Sequence, residues 1–156
     1  MSPKTMIATL QKDYRVTKVF VDTSAFYALA DESDRNHYRA KKAYESLIKA
    51  HLVTTDYVLL ECWFLIGRHL GREKAIRFWD GLRTGIVDIV SVDMQDLNQA
   101  REIVERFPDQ DFSIVDACSF AVMEREGIKT IFGFDSHFSV YRFGKDKRRY
   151  FELVPQ

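Results

Sequence analysis

The chain has few cysteines and no excess of charge of either sign. Its two cysteines, Cys62 and Cys118, have neither a CxxC partner nor a nearby Cys/His set. We therefore predict two small buried thiols in a reducing compartment, rather than a disulfide or a zinc site. Basic and acidic residues number 23 each, which is unlike a strongly basic nucleic-acid-binding protein. A local basic patch would still be enough for contact with phosphates.

Long apolar runs are also missing. The N-terminal segment MSPKTMIATLQKDYRVTK has no apolar core of signal-peptide length, and the densest apolar run, VLLECWFLIG, is short and contains Glu61. No internal repeat, low-complexity tract or linker divides the chain. Its length of 156 residues, with 46% hydrophobic and 29% charged residues, predicts one globular cytoplasmic domain that does not contact membranes. We expect a polar leader over residues 1–17 and the domain over residues 18–156.

Strand and helix patterns alternate along the chain. The predicted strands are 18–22, 52–56, 87–93, 129–135 and 150–154. The predicted helices are 24–33, 33–51, 57–70, 72–84, 94–107 and 111–127. The helix over 57–70 is apolar nearly all round, so we predict that it is buried. Alternating strands and helices indicate an α/β fold with a central, mostly parallel sheet between two layers of helices.

Four acidic residues interrupt this apolar context. Asp22 ends the first strand, Glu61 lies within the apolar helix, Asp116 lies in the first turn of a later helix, and Asp135 ends the strand TIFGF. In a parallel sheet the carboxyl ends of the strands and the starts of the following helices share one edge, where ligands bind. The topology would therefore gather these four acids at one site.

Each acid also has a purely structural explanation. Asp22 and Asp135 could be turn residues or helix N-caps, Asp116 could complete a capping box with Ser113, and Glu61 could face solvent. Together, however, clustered carboxylates would repel one another and take up protons unless a cation were present. Mg²⁺ and Mn²⁺ prefer oxygen ligands and, when bound to a phosphate, promote its hydrolysis. The pattern therefore indicates a hard-metal site suited to phosphodiester hydrolysis.

These segments resemble the PIN domain, specifically the VapC-type toxin ribonucleases, from about residue 18 to residue 143. The four stretches that carry the resemblance are VFVDTSAFYALAD, TTDYVLLE, DQDFSIVDACSFAVMEREGI and TIFGFDSHF. The resemblance implies the family's three-layer α/β/α fold over residues 18–156 and cleavage of RNA that depends on Mg²⁺ or Mn²⁺. It also implies an antitoxin partner, as in type II toxin–antitoxin pairs, and a homodimer. The leader departs from the family, whose first strand begins almost at the N-terminus.

The resemblance also assigns roles to individual residues. It implies Asp22 and Asp116 as the main metal ligands, with Glu61 and Asp135 completing the acidic pocket. Ser24 would be the hydroxyl that orients Asp22. Two further residues fall in the third motif: Asp111 as an accessory acid and Ser113 mainly as a helix cap. His137, two residues after Asp135, invites a catalytic role, although a loop histidine beside a surface turn is the interpretation we favour.

Other function classes fit less well. A haloacid-dehalogenase-type phosphatase needs a second acid two residues after the first, where this chain has Ser24. A receiver-type signalling domain needs an acidic pair and a lysine at a later strand end, and no such set is present. A non-catalytic module that keeps the fold for binding RNA or protein stays open as the alternative to the enzyme.

The C-terminal segment YRFGKDKRRYFELV combines basic and aromatic residues, a composition suited to single-stranded RNA. The candidate phosphate-binding residues are Arg142, Lys145, Lys147, Arg148 and Arg149. The interleaved aromatic residues are Tyr141, Phe143, Tyr150 and Phe151. A solvated hairpin whose aromatic side chains enter the core is an equally good explanation.

Overall fold

The computed structural model describes residues 17–156, so the predicted leader lies outside them apart from residue 17. The strands are β1 (Lys18–Val21), β2 (His51–Thr55), β3 (Val87–Val90), β4 (Thr130–Phe132) and β5 (Glu152–Val154). The helices of this part are α1 (Thr23–Ala30), α2 (His37–Ser46), α3 (Asp56–Leu70), α4 (Arg72–Leu82), α5 (Met94–Arg106), α6 (Ile114–Glu126) and α7 (His137–Val140).

The five strands form one sheet in the order β3-β2-β1-β4-β5, and every neighbouring pair is parallel. This confirms the predicted α/β class, with a sheet that is parallel throughout these strands rather than mostly so. The chain builds the sheet in one direction from β1 to β3 and then crosses to the other side of β1. The strand order therefore switches between β1 and β4, and ligands of such sheets bind at the carboxyl ends of the strands at this point.

The core lies around β1 and the helix α6. Val19, Phe20 and Val21 are buried, because a central parallel strand is covered on both faces. The ring of Phe120 in α6 stacks on that of Tyr141 with 4.4 Å between their centroids, and the Phe151 ring lies 6.1 Å from Phe120. Aromatic side chains of the C-terminal segment thus enter the core, as one of the two predictions for this segment expected. Burial of these rings fixes the segment against α6.

The predicted helix over 33–51 is too long at both ends. The structure has α2 at His37–Ser46, and the Leu47 N–H donates to the carbonyls of Ala43 and Tyr44, which closes the last turn. The apolar periodicity continues beyond this turn, but Ile48 is 84% exposed. His51 pairs with Lys18 at the start of β2. Pairing with β1 therefore overrides helical periodicity. The other predicted elements differ from the observed ones by one to three residues at their ends.

The prediction that the helix over 57–70 is fully buried is wrong. Leu60 and Phe64 of α3 are 50% and 71% exposed. On the neighbouring helix α4, Ile76 and Trp79 are also exposed. The ring of Trp79 contacts that of Trp63 in α3 edge to face. We call these five side chains the α3/α4 apolar patch. The period of a sequence does not distinguish an apolar face that packs in the core from one that remains on the surface.

The prediction that both cysteines are buried thiols without a disulfide is confirmed. Cys62 and Cys118 are free and buried, and burial raises the pKa of each thiol, so both favour the neutral form. Among residues 17–156 there is no helix with the length and apolarity required to cross a bilayer.

Candidate active site

The first acid, Asp22, joins the two strands at the switch point. Its N–H donates to the Phe132 carbonyl of β4 at 3.0 Å, which continues the sheet beyond β1. Its side chain caps α1: Oδ2 accepts from the N–H of Ser24 at 3.2 Å and from the Ser24 hydroxyl at 2.8 Å. The N-cap explanation for Asp22 is therefore correct, yet it leaves Asp22 buried with its carboxylate beside other acids.

Ser24 holds the two strand ends together. While its hydroxyl donates to Asp22, its Oγ accepts from the N–H of Phe134 at 2.8 Å, beyond the end of β4. Gly133 makes this close approach feasible: a Cβ on Gly133 would lie 3.1 Å from the Cβ of Asp22 and 3.1 Å from the Ser24 Oγ. The glycine of the stretch TIFGF is thus needed for space rather than for a special backbone angle.

Asp116 lies in the first turn of α6, within the capping box that the sequence predicts. Its N–H donates to the Ser113 hydroxyl at 3.0 Å, and its Oδ2 accepts from the N–H of Ser113 at 3.2 Å. Ser113 is therefore a helix cap that also fixes Asp116. Asp111 is exposed and is not among the residues that line the cleft described below, although its charge acts on His137.

His137 is the residue whose place the sequence analysis missed. Its ring is partly buried against Phe112, edge to face, with 5.2 Å between ring centroids. The Nδ1 atom lies 2.8 Å from Oδ2 of Asp116 and 3.4 Å from Oδ1 of Asp135. These three residues offer ligand atoms that all lie within 4.8 Å of one another. His137 is thus part of the acidic site, not a histidine on a surface turn.

Glu61 reaches the same site from α3. Its Oε2 accepts from the hydroxyl of Thr23 at 2.6 Å, so the first residue of α1 holds the carboxylate in place. Glu61 is partly buried and lines the cleft described below. An acid interrupts the otherwise apolar stretch because this face of α3 borders the cleft.

The four acids that the sequence predicts line one open cleft of about 410 Å³. The acids on its walls are Asp22, Asp34, Glu61, Asp116 and Asp135. Arg35 is the one cation among the lining residues in the part of the chain that the structure describes. Two of the carboxylates follow strand ends, and the other two lie in α6 and α3, so the fold creates the cluster from distant parts of the sequence.

Burial and the charges of neighbouring acids raise the pKa values of Asp22, Glu61 and Asp116. Burial raises the pKa of Asp22 to about 7; the hydrogen bonds from Ser24 oppose this shift, and the charges of Asp116 and Asp135 add to it. Burial also raises the pKa of Glu61 and of Asp116, and the Asp135 charge adds to both shifts. Partial burial would lower the pKa of His137, but its hydrogen bond to Asp116 and the charge of Asp135 raise it overall.

The donor set fits a hard divalent cation. All four converging side chains offer carboxylate oxygens, the ligands that Mg²⁺ and Mn²⁺ prefer. Burial and the neighbouring acids disfavour the charged forms of Asp22, Glu61 and Asp116, and a bound cation would offset both effects.

The basic residues of the C-terminal segment do not join this cleft. Lys145, Lys147, Arg148 and Arg149 are exposed on the turn between Phe143 and Arg149. Arg142 bonds instead to the carbonyls of Ser139, Val140 and Tyr141 at the end of α7.

The fold and the cleft together define a class: α/β proteins that gather carboxylates at the switch point of a parallel sheet. Residues 19–144 match the family model of the PIN domain. The chain is 34% identical over 125 residues to the 23S rRNA-specific endonuclease VapC20 of Mycobacterium tuberculosis, a match that covers 80% of this chain and 95% of VapC20. It is 28% identical over 125 residues to the ribonuclease VapC26 of the same organism, covering 80% of this chain and 92% of VapC26. The chain therefore belongs to the PIN domain family and, within it, to the VapC-type toxin ribonucleases.

Solved structures agree with this assignment. The crystal structure of M. tuberculosis VapC20, a toxin that cleaves the sarcin–ricin loop, matches with a TM-score of 0.75 over 78% of this chain and 93% of VapC20. VapBC2 of Rickettsia felis, bound to a DNA fragment from its promoter, matches with a TM-score of 0.64 at 11% identity, over 88% of this chain and 97% of that one. At that identity the second match shows the fold alone.

Proposed function

We propose that this protein is a divalent-cation-dependent endoribonuclease and the toxin of a type II toxin–antitoxin pair. The observation that carries the proposal is the convergence of Asp22, Glu61, Asp116 and Asp135 in one cleft at the switch point. A non-catalytic binding module has no need for buried carboxylates with raised pKa values, because their mutual repulsion destabilises the fold.

The proposed roles of the side chains follow from their contacts. Asp22 and Asp116 would hold the cation, with Glu61 and Asp135 completing the acidic pocket. Ser24 would fix the Asp22 carboxylate, and His137 would fix that of Asp116. When bound, Mg²⁺ or Mn²⁺ would lower the pKa of a water and stabilise negative charge on the scissile phosphate.

Ribosomal RNA is the substrate class we propose first, because the relative with 34% identity is named for cleavage of 23S rRNA. The test is incubation of purified protein with total RNA and with intact ribosomes, in Mg²⁺, in Mn²⁺ and in EDTA. We expect discrete fragments with either metal and none in EDTA. Cleavage that is equal in EDTA would contradict the dependence on a cation, and intact RNA under every condition would contradict the nuclease.

We predict that His137→Ala lowers the rate of RNA cleavage by about 10–100-fold, the range for residues that orient a metal ligand. The Nδ1–H is expected to donate to the Asp116 carboxylate, and its loss frees that carboxylate to rotate. His137→Asn should restore much of the activity, because its amide can donate from a similar position. Single-turnover kinetics of the three proteins measures the effect. Full activity in His137→Ala would show that Asp116 needs no such support.

The α3/α4 apolar patch supports a protein partner, and we propose that it is the contact between two copies of the chain. We predict that light scattering after size-exclusion chromatography gives twice the chain mass and that Phe64→Asp gives a monomer. Tyr38→Asp is the matched control, since Tyr38 is 70% exposed, as Phe64 is 71%, but lies on α2. A monomeric wild type, or a dimeric Phe64→Asp variant, would contradict this assignment.

The antitoxin would bind elsewhere, and with RNA as the substrate we expect the pair in the cytoplasm.

A further inference from the structure

Positive charge is concentrated in one short segment of a chain whose formal net charge is zero. Residues 142–150, which we call the basic hairpin, contain five cations and a single acid, Asp146. The cations are Arg142, Lys145, Lys147, Arg148 and Arg149. The Arg148 backbone N–H donates to Oδ1 of Asp146 at 3.2 Å, but the side chains of Lys145 and Arg148 form no ion pair or hydrogen bond with another residue of the described part of the chain. Their charges are therefore available to a partner.

The basic hairpin is built to hold these charges in fixed positions. Phe143 and Arg149 exchange two backbone hydrogen bonds, at 2.9 and 3.3 Å, and Gly144 turns the chain with a φ of +85°. The Phe143 ring stacks on Phe151 with 4.7 Å between centroids, and both rings are buried. An anchored turn loses less conformational entropy on binding than a free tail would.

The tip of the basic hairpin lies at the opposite end of α6 from the acids. Gly144 and Arg149 share a small recess with Gly127 and Lys129, at the carboxyl end of α6 and just before β4. Asp116 is in the first turn of the same helix. Eleven residues separate Asp116 from Gly127, which corresponds to about 16 Å at the helical rise.

Arg142 and Tyr150 are the first and last residues of the basic hairpin, at its base next to α7. The helix α7 begins at His137 in the acidic site and ends at Val140, where the Arg142 guanidinium binds the carbonyls. That guanidinium lies over the ring of Tyr150, 5.2 Å from its centroid, and Tyr150 is 61% exposed. A cation beside an exposed ring is suited to a phosphate and a stacked base.

We propose that the basic hairpin is a second RNA-binding site that holds the substrate strand several nucleotides away from the scissile bond. This inference rests on the proposed nuclease function. The cleft itself is acidic and repels a polyanion, so phosphate contacts outside it would supply much of the affinity. Most of α6 is buried, so an RNA strand would pass around it, and at 3.4 Å per stacked nucleotide the 16 Å sets a minimum of about five nucleotides. The enzyme would therefore prefer long or structured RNA to short fragments.

The test compares Lys145→Glu/Arg148→Glu with wild type on two substrates, an RNA of about 20 nucleotides and one too short to span about five nucleotides beyond the scissile bond. The control is Arg72→Glu/Arg83→Glu, which makes the same charge change at two exposed residues, the first of α4 and the one that follows its end. We expect the KM for the long RNA to rise about tenfold at low salt, with kcat/KM for the short RNA unchanged.

Salt dependence supplies an independent readout. RNA binding by both double variants, placed in an Asp22→Asn background, is followed by fluorescence anisotropy. Lys145→Glu/Arg148→Glu should show a smaller slope of log K against log salt, by about 1.4 for two lost single-strand phosphate contacts, and Arg72→Glu/Arg83→Glu should keep the slope of the Asp22→Asn protein. An unchanged KM and slope for the long RNA would overturn the second site while leaving the nuclease intact. Equal losses on both substrates, or in the Arg72→Glu/Arg83→Glu control, would also overturn it. If the wild type cleaved no RNA, the nuclease would fail, and the binding slopes would still decide the second site.

Discussion

Replacement of Asp22 or Asp116 with asparagine is expected to lower the rate of RNA cleavage by roughly 10²–10³-fold, the loss that follows removal of one group that stabilises the transition state electrostatically. Asparagine has nearly the same shape and can still cap a helix, so the fold should remain intact. What it lacks is the negative charge that a hard cation requires. Cleavage rates at saturating Mg²⁺ or Mn²⁺, together with circular dichroism spectra, measure both parts of this expectation.

Asp34→Asn is the matched control, because Asp34 lines the same cleft. Its Oδ1 accepts from the N–H of Asn36 at 2.7 Å, in the loop between α1 and α2, rather than at the strand ends. We expect this variant to keep its activity within a few-fold of wild type. Undiminished cleavage by both Asp22→Asn and Asp116→Asn would disprove the assigned site. A comparable loss in Asp34→Asn would mean that cleavage depends on the total negative charge of the cleft rather than on the particular positions of Asp22 and Asp116.

Removal of the Asp22 charge is expected to stabilise the metal-free protein. Its pKa is raised from 3.8 to about 7 in the folded state, which corresponds to roughly 4 kcal/mol at 1.36 kcal/mol per pKa unit. Because the pKa of Asp22 is higher in the folded state than in the unfolded state, its contribution to the free energy of unfolding is fully present below about pH 4. The wild type loses this contribution as the pH rises through 7. In EDTA at pH 8, Asp22→Asn should therefore melt about 10 °C above wild type, and the gap should narrow toward pH 4.

Mn²⁺ should reverse this difference, so that at pH 8 the wild type melts at a higher temperature than Asp22→Asn. It would bind the folded wild type and raise its melting temperature at pH 8, and it should have little effect on Asp22→Asn. Asp80→Asn, which removes an exposed acid on α4, should behave as wild type in both respects. Thermal melts between pH 4 and 8 provide the test. A variant that is less stable than wild type at every pH would contradict a buried, strained carboxylate at this position.

The positions of the four acids could be predicted from the sequence because strand ends and helix starts are local features. Asp22, Asp116 and Asp135 each interrupt or end an apolar stretch, and the alternation of strands and helices orients all the strand ends the same way. The parallel topology then brings them to one edge. Glu61 was predictable for a different reason, namely that a charge within an apolar helix needs a polar environment.

Other features depend on long-range contacts that no local pattern records. His137 belongs to the site because α7 returns it to Asp116, 21 residues earlier in the chain. The short spacing to Asp135 in FDSHF was the available signal. The length of α2 was overestimated because pairing of His51 with β1 competes with helical periodicity. The outward face of α3 cannot be told from a core face by its sequence, because surface and core apolar residues have the same period.

The measurement that tests the central claim most directly is calorimetric titration of Mn²⁺ into metal-free protein at pH 8, for wild type, Asp22→Asn and Asp116→Asn. The acidic cleft predicts saturable binding to the wild type and a strongly weakened interaction in both variants, because each lacks one carboxylate ligand. Absence of binding to the wild type, or equal binding to all three proteins, would contradict the assignment of this cleft as a metal-dependent catalytic site.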